Sequence, residues 1–222
     1  MNILAIDTST RASGIALYDG LNVRYECVWH SAEFHSVELA PGIKQALTSA
    51  GMKLAELQAI AVAIGPGSYT GLRIGLALAK GLAFAQGLKI IAVPTLDVLA
   101  AGQPMQDLPM AAVLQAGRAR LAVGWYKVKK EIWSADGQPR LIAVEELADL
   151  IKKPTWICGE LNEEERRVLG RKHKNAQMAP PAWNVRRPAL LAELAWTRLE
   201  AGKADEARGL APTYLQAAEA AA

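Results

Sequence analysis

Cysteine is scarce in this 222-residue sequence, where Cys27 and Cys158 stand alone and far apart. They cannot form a CxxC redox or zinc pair, and a disulfide scaffold is excluded; such usage fits a reducing compartment. Long hydrophobic runs are also missing. The longest, such as Ala59 to Ile64, reach about six residues, where a membrane span needs about 20. No basic stretch precedes Asp7, so the start of the chain does not read as a signal peptide. A cytoplasmic location is the expectation. Charge of one sign is lacking too: 25 Lys and Arg against 22 Asp and Glu leave a net +3, too mild by itself to imply nucleic-acid binding. Histidine is limited to His30, His35 and His173. The spacing of the first two is not the three or four of a helical metal pair, so no metal site is expected, and His35 reads as a surface or capping residue.

What is present is ordinary globular material, 51% hydrophobic and 21% charged, which excludes disorder. The first hundred residues alternate strand and helix signals. Asn2 to Ile6, Gly14 to Tyr18 and Asn22 to Trp29 read as antiparallel strands, the last two joined by the hairpin signal Asp19-Gly20. A helix from Ser36 to Gly51 is expected, with Pro41 kinking or restarting it. A buried strand Ala59 to Ile64, a helix Thr70 to Gln86 and a strand Lys89 to Val93 follow, giving the order β-β-β-α-β-α-β. Gly102, Pro104, Asp107 and Pro109 mark a crossing into a second α/β unit, with strands near Met110, Leu121, Glu131, Arg140 and Thr155 and helices from Glu145 and Asn162. Arg187-Pro188 opens an amphipathic helix to Ala201, and the Ala- and Glu-rich tail after Gln216 is expected to fray.

The most informative stretch runs from Gly65 to Gly75, GPGSYTGLRIG. It joins a buried strand to a helix, with Ser68 or Thr70 available as the cap. Chemistry alone leaves two readings open, a tight capped connection and an anion site at a helix start. It is neither a Walker loop nor a GxGxxG fingerprint. The helix behind it is apolar nearly all round, and Gly71 and Gly75, one turn apart, are expected to present a low ridge for close helix approach, inside the core or across an interface. The cluster Arg166, Arg167, Arg171, Lys172, His173, Lys174 reads either as a solvated helix end or as a contact for RNA phosphates.

ILAIDTST over residues 3–10, Phe34-His35-Ser36, the Gly65 to Gly75 motif and Pro212-Thr213-Tyr214-Leu215 together resemble the bacterial TsaB family, formerly YeaZ. The resemblance is clear to about Thr95 and weak beyond. It implies an α/β, two-lobed actin-like ATPase fold with mixed sheets flanked by helices. Residues 1–104 and 188–222 would form the first lobe and 105–187 a smaller second one. It also implies a non-catalytic partner of TsaD in adding threonylcarbamoyl to the tRNA adenosine beside the anticodon, with a TsaE homologue supplying an ATPase cycle. The free chain would be a homodimer, and any tRNA contact would be indirect.

The catalytic relative carries a metal-binding HxxxH after the strand matching Lys89 to Val93. Here Pro94 to Ala101 has no histidine, and Leu and Ala cannot replace imidazole ligands. Asp7-Thr8-Ser9-Thr10 matches the first phosphate hairpin of the superfamily without its glycine, and the second half has no Gly-Gly pair. A degenerate phosphate turn and no cofactor follow. In the second lobe, Gln115-Ala116-Gly117-Arg118-Ala119-Arg120 stands where the family commonly has an Asp-Ala-Arg turn. The expected partner surface is His35, Ser36, Leu39 and Ile43 on one helix, with Ser68, Tyr69, Thr70, Gly71, Arg73, Ile74, Gly75 and Leu78 at the start of the next. The rivals are a stand-alone actin-like phosphotransferase, which needs an aspartate base, metal and both phosphate turns, and a metal-dependent peptidase, which needs ligands this chain lacks.

Overall fold

The structure is a computed structural model describing residues 1–31, 35–117, 119–172 and 174–215, with His35 described by its backbone alone. Phe34, Arg118, His173 and the expected frayed tail lie outside the described residues. In chain order the first elements are β1 (Asn2–Asp7), β2 (Ala12–Tyr18), β3 (Val23–His30), α1 (His35–Ala50), β4 (Leu57–Ala63), α2 (Tyr69–Gln86), β5 (Lys89–Val93) and α3 (Thr95–Ala101). Then come β6 (Met110–Gln115), β7 (Leu121–Lys129), β8 (Ile132–Ala135), β9 (Arg140–Ile142), α4 (Val144–Leu150), β10 (Thr155–Gly159), α5 (Glu163–Gly170), β11 (Ala176–Met178) and α6 (Pro188–Glu200).

By internal contacts the chain divides into Met1–Val98 with Arg186–Thr213, and Leu99–Val185, to which Tyr214 and Leu215 are assigned. The division falls inside α3, ahead of the Gly- and Pro-rich segment where the sequence places it. The return to the first unit comes at Arg186, whose side chain is tied to Asp7.

In the first unit the sheet order is β3-β2-β1-β4-β5. β2 is antiparallel to β1 and β3, while β4 is parallel to β1 and β5. The Asp19 carboxylate accepts the N–H groups of Leu21 and Asn22 and so fixes the β2–β3 hairpin. Period-two alternation divides the central strands between two layers. Ile3, Ala5, Ala59, Ala61 and Ala63 pack beneath α6 through Leu191, Ala192 and Ala195. Leu4, Ile6, Ile60 and Val62 face the opposite layer, packing with Leu39, Ile43 and Ala46 of α1 and Leu76, Ala79 and Ala83 of α2. α1 runs through Pro41 as one element rather than restarting there. Proline costs the helix one N–H, which would reach the carbonyl of exposed Val37, and water can satisfy that group.

The second unit is built on a six-stranded sheet, β11-β10-β6-β7-β8, with β9 also paired to β7. β6, β10 and β11 are mutually parallel, and β7 is antiparallel to β6, β8 and β9. Its core joins Ala111, Val113, Leu121, Val123 and Ile157 of the strands to Leu147, Ala148 and Leu169 of α4 and α5. No helix among the described residues is long and apolar enough to cross a membrane.

Candidate functional site

The turn at the end of β1 is the one whose sequence resembles a phosphate hairpin. Here all four of its residues, Asp7, Thr8, Ser9 and Thr10, are buried. One Asp7 oxygen accepts the Ser9 N–H at 2.8 Å, and the other accepts Arg186 Nε at 2.9 Å, in an ion pair whose side chains are 3% and 2% exposed. Arg186 Nη2 also donates to Thr10 Oγ1 at 2.7 Å and to the Ala12 carbonyl at 2.9 Å. Thr8 Oγ1 donates to the Gly71 carbonyl at 2.7 Å. Ser9 Oγ meets Thr95 Oγ1 at 2.8 Å, and that oxygen accepts the Gly65 N–H at 3.0 Å. Each of the four side chains is bonded to the protein's own groups, so the turn ties β1 to α2, α3 and the segment before α6.

The Gly65 to Gly75 motif meets this turn from the other side. Ser68 caps α2 by accepting the Gly71 N–H at 3.2 Å, so Ser68 rather than Thr70 is the cap. The Ser68 N–H in turn donates to the Ser9 carbonyl at 2.6 Å. Gly71 and Gly75 correct the sequence expectation. They form no exposed ridge, because both are buried against Thr8. A Cβ on Gly71 would sit 2.1 Å from the Thr8 carbonyl oxygen, and one on Gly75 would sit 2.1 Å from Thr8 Oγ1. The close approach the glycines permit is between helix and strand of one unit.

The surface beside them is built differently. Ser36 is exposed on α1, as are Ser68, Tyr69, Thr70 and Arg73 at the start of α2. The Arg73 guanidinium stacks 5.1 Å from the Tyr69 ring centre and donates to its hydroxyl. Ile74 and Leu78 are half-buried. Leu39 and Ile43, expected on the partner surface, are core residues of the α1–α2 layer, although Ile43 also lines a groove. That groove, of about 340 Å³, runs between α1 and α2 and is walled by Ala40, Ile43, Leu47, Leu54, Leu78 and Leu82. Phe84, one of only two phenylalanines, is 89% exposed on α2. Sequence reading missed Phe84, although its place on the helical stripe of Arg73 and Ala77, opposite Gly75 and Ala79, was an available signal. It missed Arg186 as well. No local signal exists there, since the arginine and its aspartate are 179 positions apart.

The other expected features are dispersed. Arg166 donates to the Leu161 carbonyl and Arg167 pairs with Glu164, while Arg171, Lys172 and Lys174 are exposed beyond α5. Burial pushes the Cys158 thiol far up from its ordinary range. Among the described residues no group of three or more His, Cys, Asp or Glu side chains is placed to hold a metal ion.

Comparison with known proteins fits these features. Residues 30–168 match the family described as TsaD: tRNA N6-adenosine threonylcarbamoyltransferase. The Bacillus subtilis tRNA threonylcarbamoyladenosine biosynthesis protein TsaB is 34% identical over the whole chain and 97% of its own length. A Pseudomonas aeruginosa crystal structure, described as uncharacterized with similarity to the peptidase YeaZ, superposes with a TM-score of 0.80 at 26% identity, over 97% of this chain and 99% of that one. The ROK hexokinase of Thermus thermophilus, at 12% identity and a TM-score of 0.51 over 90% of this chain and 100% of that one, shares the fold alone, which is actin-like. With a relative matched along its full length and an actin-like fold, the chain belongs to the TsaB family of tRNA threonylcarbamoyladenosine biosynthesis proteins.

Proposed function

We propose that this chain serves tRNA threonylcarbamoyladenosine biosynthesis as a non-catalytic subunit that docks a TsaD homologue on the α1–α2 face of its first unit. The observation that carries the reading is the apolar groove between α1 and α2, on a helix that also exposes Phe84 and Tyr69 on another of its sides. A surface of this kind exposes apolar area that association would remove from water, at about 25 cal/mol per Å². The internally bonded phosphate turn supports the same reading, because Asp7 is held by Arg186 rather than free to serve a nucleotide or a metal. The reaction would then be the partner's, a TsaE homologue would drive the cycle, and the work would take place in the cytoplasm. In the absence of TsaD the same face would pair two copies, since a two-fold contact uses one patch twice.

The test is co-purification with the TsaD homologue and reconstituted threonylcarbamoyladenosine formation. Phe84→Asp changes a side chain that is 89% exposed and leaves the core intact. Loss of an aromatic anchor costs about 2 kcal/mol, so binding should weaken about 30-fold, with self-association falling in parallel. TsaD binding unchanged in Phe84→Asp, in Arg73→Glu and in Leu82→Ser, which alters the groove itself, would place the interface elsewhere.

A further inference from the structure

The second unit gathers exposed cations at one end of its strands. The parallel strands β10 and β11 begin at paired residues, Thr155 opposite Ala176. β6 begins beside them, with Met110 opposite Trp156, and antiparallel β7 leaves at the same end, with Tyr126 opposite Met110. Three connections therefore gather at one end of the sheet. The β7–β8 hairpin brings Lys127, Lys129 and Lys130; the α4–β10 connection brings Lys152 and Lys153; the α5–β11 connection brings Arg171, Lys172 and Lys174. All eight are exposed, and the acids at this end are Asp107, Glu131, Asp136 and Asp149. Only Lys127, bonded to Asp136, has an ion-pair partner among the described residues. The opposite end mixes signs, with Glu145 and Glu146 in the first turn of α4 and Glu163, Glu164 and Glu165 in that of α5 beside Arg120, Arg166 and Arg167.

We propose that this end of the second unit is a binding surface for the phosphate backbone of RNA. Helix dipoles account for cations following α4 and α5, but not for three lysines on a hairpin that caps no helix. The hairpin and the α4–β10 connection also share a field, for the Asp136 carboxyl is held below the usual carboxylate range by its bond from Lys127 and by the charges of Lys127, Lys129 and Lys153. Mutual repulsion of so many unpaired cations is relieved by a bound polyanion. Extent selects the class of ligand. From β8 to β11 is four strand spacings, about 19 Å, which spans several phosphates at about 3.4 Å of rise each and exceeds a single small anion. The choice of RNA rests on the role in tRNA modification proposed above, whereas the surface itself does not depend on that role.

The test uses the full chain and labelled tRNA at 50 to 200 mM salt, followed by fluorescence anisotropy. Lys129→Gln, Lys153→Gln and Lys174→Gln together remove one cation from each connection. Affinity should fall by about tenfold or more and the slope of log K against log salt should flatten by about 3. A charge-matched control in the first unit, Lys53→Gln with Lys89→Gln and Lys203→Gln, should leave both nearly unchanged. The inference is overturned by wild-type protein that does not bind tRNA at 50 mM salt. It is equally overturned by a control that weakens binding as much as the triple variant, or by polyglutamate displacing tRNA at equal charge. Co-purification of the TsaD homologue with the triple variant separates the two proposals. It should persist, whereas wild-type protein that co-purifies with the TsaD homologue but does not bind tRNA would remove this surface while leaving the docking role standing.

Discussion

Gly75→Ala is the most informative single change in the first unit. The added Cβ would lie 2.1 Å from Thr8 Oγ1, where ordinary contacts begin at 3.4 Å. Thr8 cannot swing aside freely, because its β-branched side chain is stiff, its residue is 1% exposed and its hydroxyl donates to the Gly71 carbonyl. Overpacking costs about 1 to 3 kcal/mol and the displaced hydrogen bond about 1 kcal/mol. Alanine in place of glycine within a helix returns about 1 kcal/mol, so the net loss should be about 1 to 3 kcal/mol. Thr8→Ala removes the clashing oxygen, and the double variant should be more stable than the two single costs predict by about 1 to 2 kcal/mol. Gly71→Ala is the contrast. Its clash is with the Thr8 main-chain carbonyl, which Thr8→Ala leaves in place, so no recovery should appear.

Urea unfolding of the five first-unit variants, two of them doubles with Thr8→Ala, read through the tryptophans, supplies these differences. If the glycine instead met another molecule, Gly75→Ala would gain the helical propensity unopposed and lose only partner affinity. A Gly75→Ala protein as stable as wild type, or one that Thr8→Ala fails to rescue, would refute the packing account.

Two further outcomes follow from buried groups. Arg186→Met leaves the Asp7 carboxylate buried without its cation and should cost about 3 to 5 kcal/mol; Asp7→Asn in the same chain should recover part of that, and a single-variant loss below about 1 kcal/mol by urea unfolding would contradict the geometry. Burial raises the Cys158 thiol and so suppresses its thiolate, so alkylation of native protein followed by mass spectrometry should modify Cys158 only after unfolding, with half-buried Cys27 reacting first.

Local patterns carried much of the first unit. The short apolar run through Ile6 and the Asp19-Gly20 turn specify a strand and a hairpin through contacts close in sequence, and both elements stand where the sequence puts them. α3 was not recognised, because seven residues bounded by Pro94 and buried through Leu96, Val98 and Leu99 show no polar face to betray a helical period. β11 is three residues long, too short for any period. The glycine motif was recognised and misread: its spacing shows that something approaches closely, and spacing alone cannot say whether that is another molecule or Thr8. Pairing between distant segments decides this, as it decides the joining of Arg186 to Asp7.

That last pairing bears directly on what kind of work the first unit does. A buried carboxylate needs a counter-charge, and here the chain supplies it from its own Arg186. A phosphate or metal recruited to Asp7 would first have to break that ion pair, at about 3 to 5 kcal/mol, which weakens binding by about 10²- to 10⁴-fold. The same contacts that oppose a ligand hold the start of α2, since Ser68 bonds Ser9 and Gly71 accepts from Thr8. α2 in turn carries Tyr69, Arg73, Leu78, Leu82 and Phe84 to the surface. The turn thus acts as an anchor for the helix that lines the apolar groove.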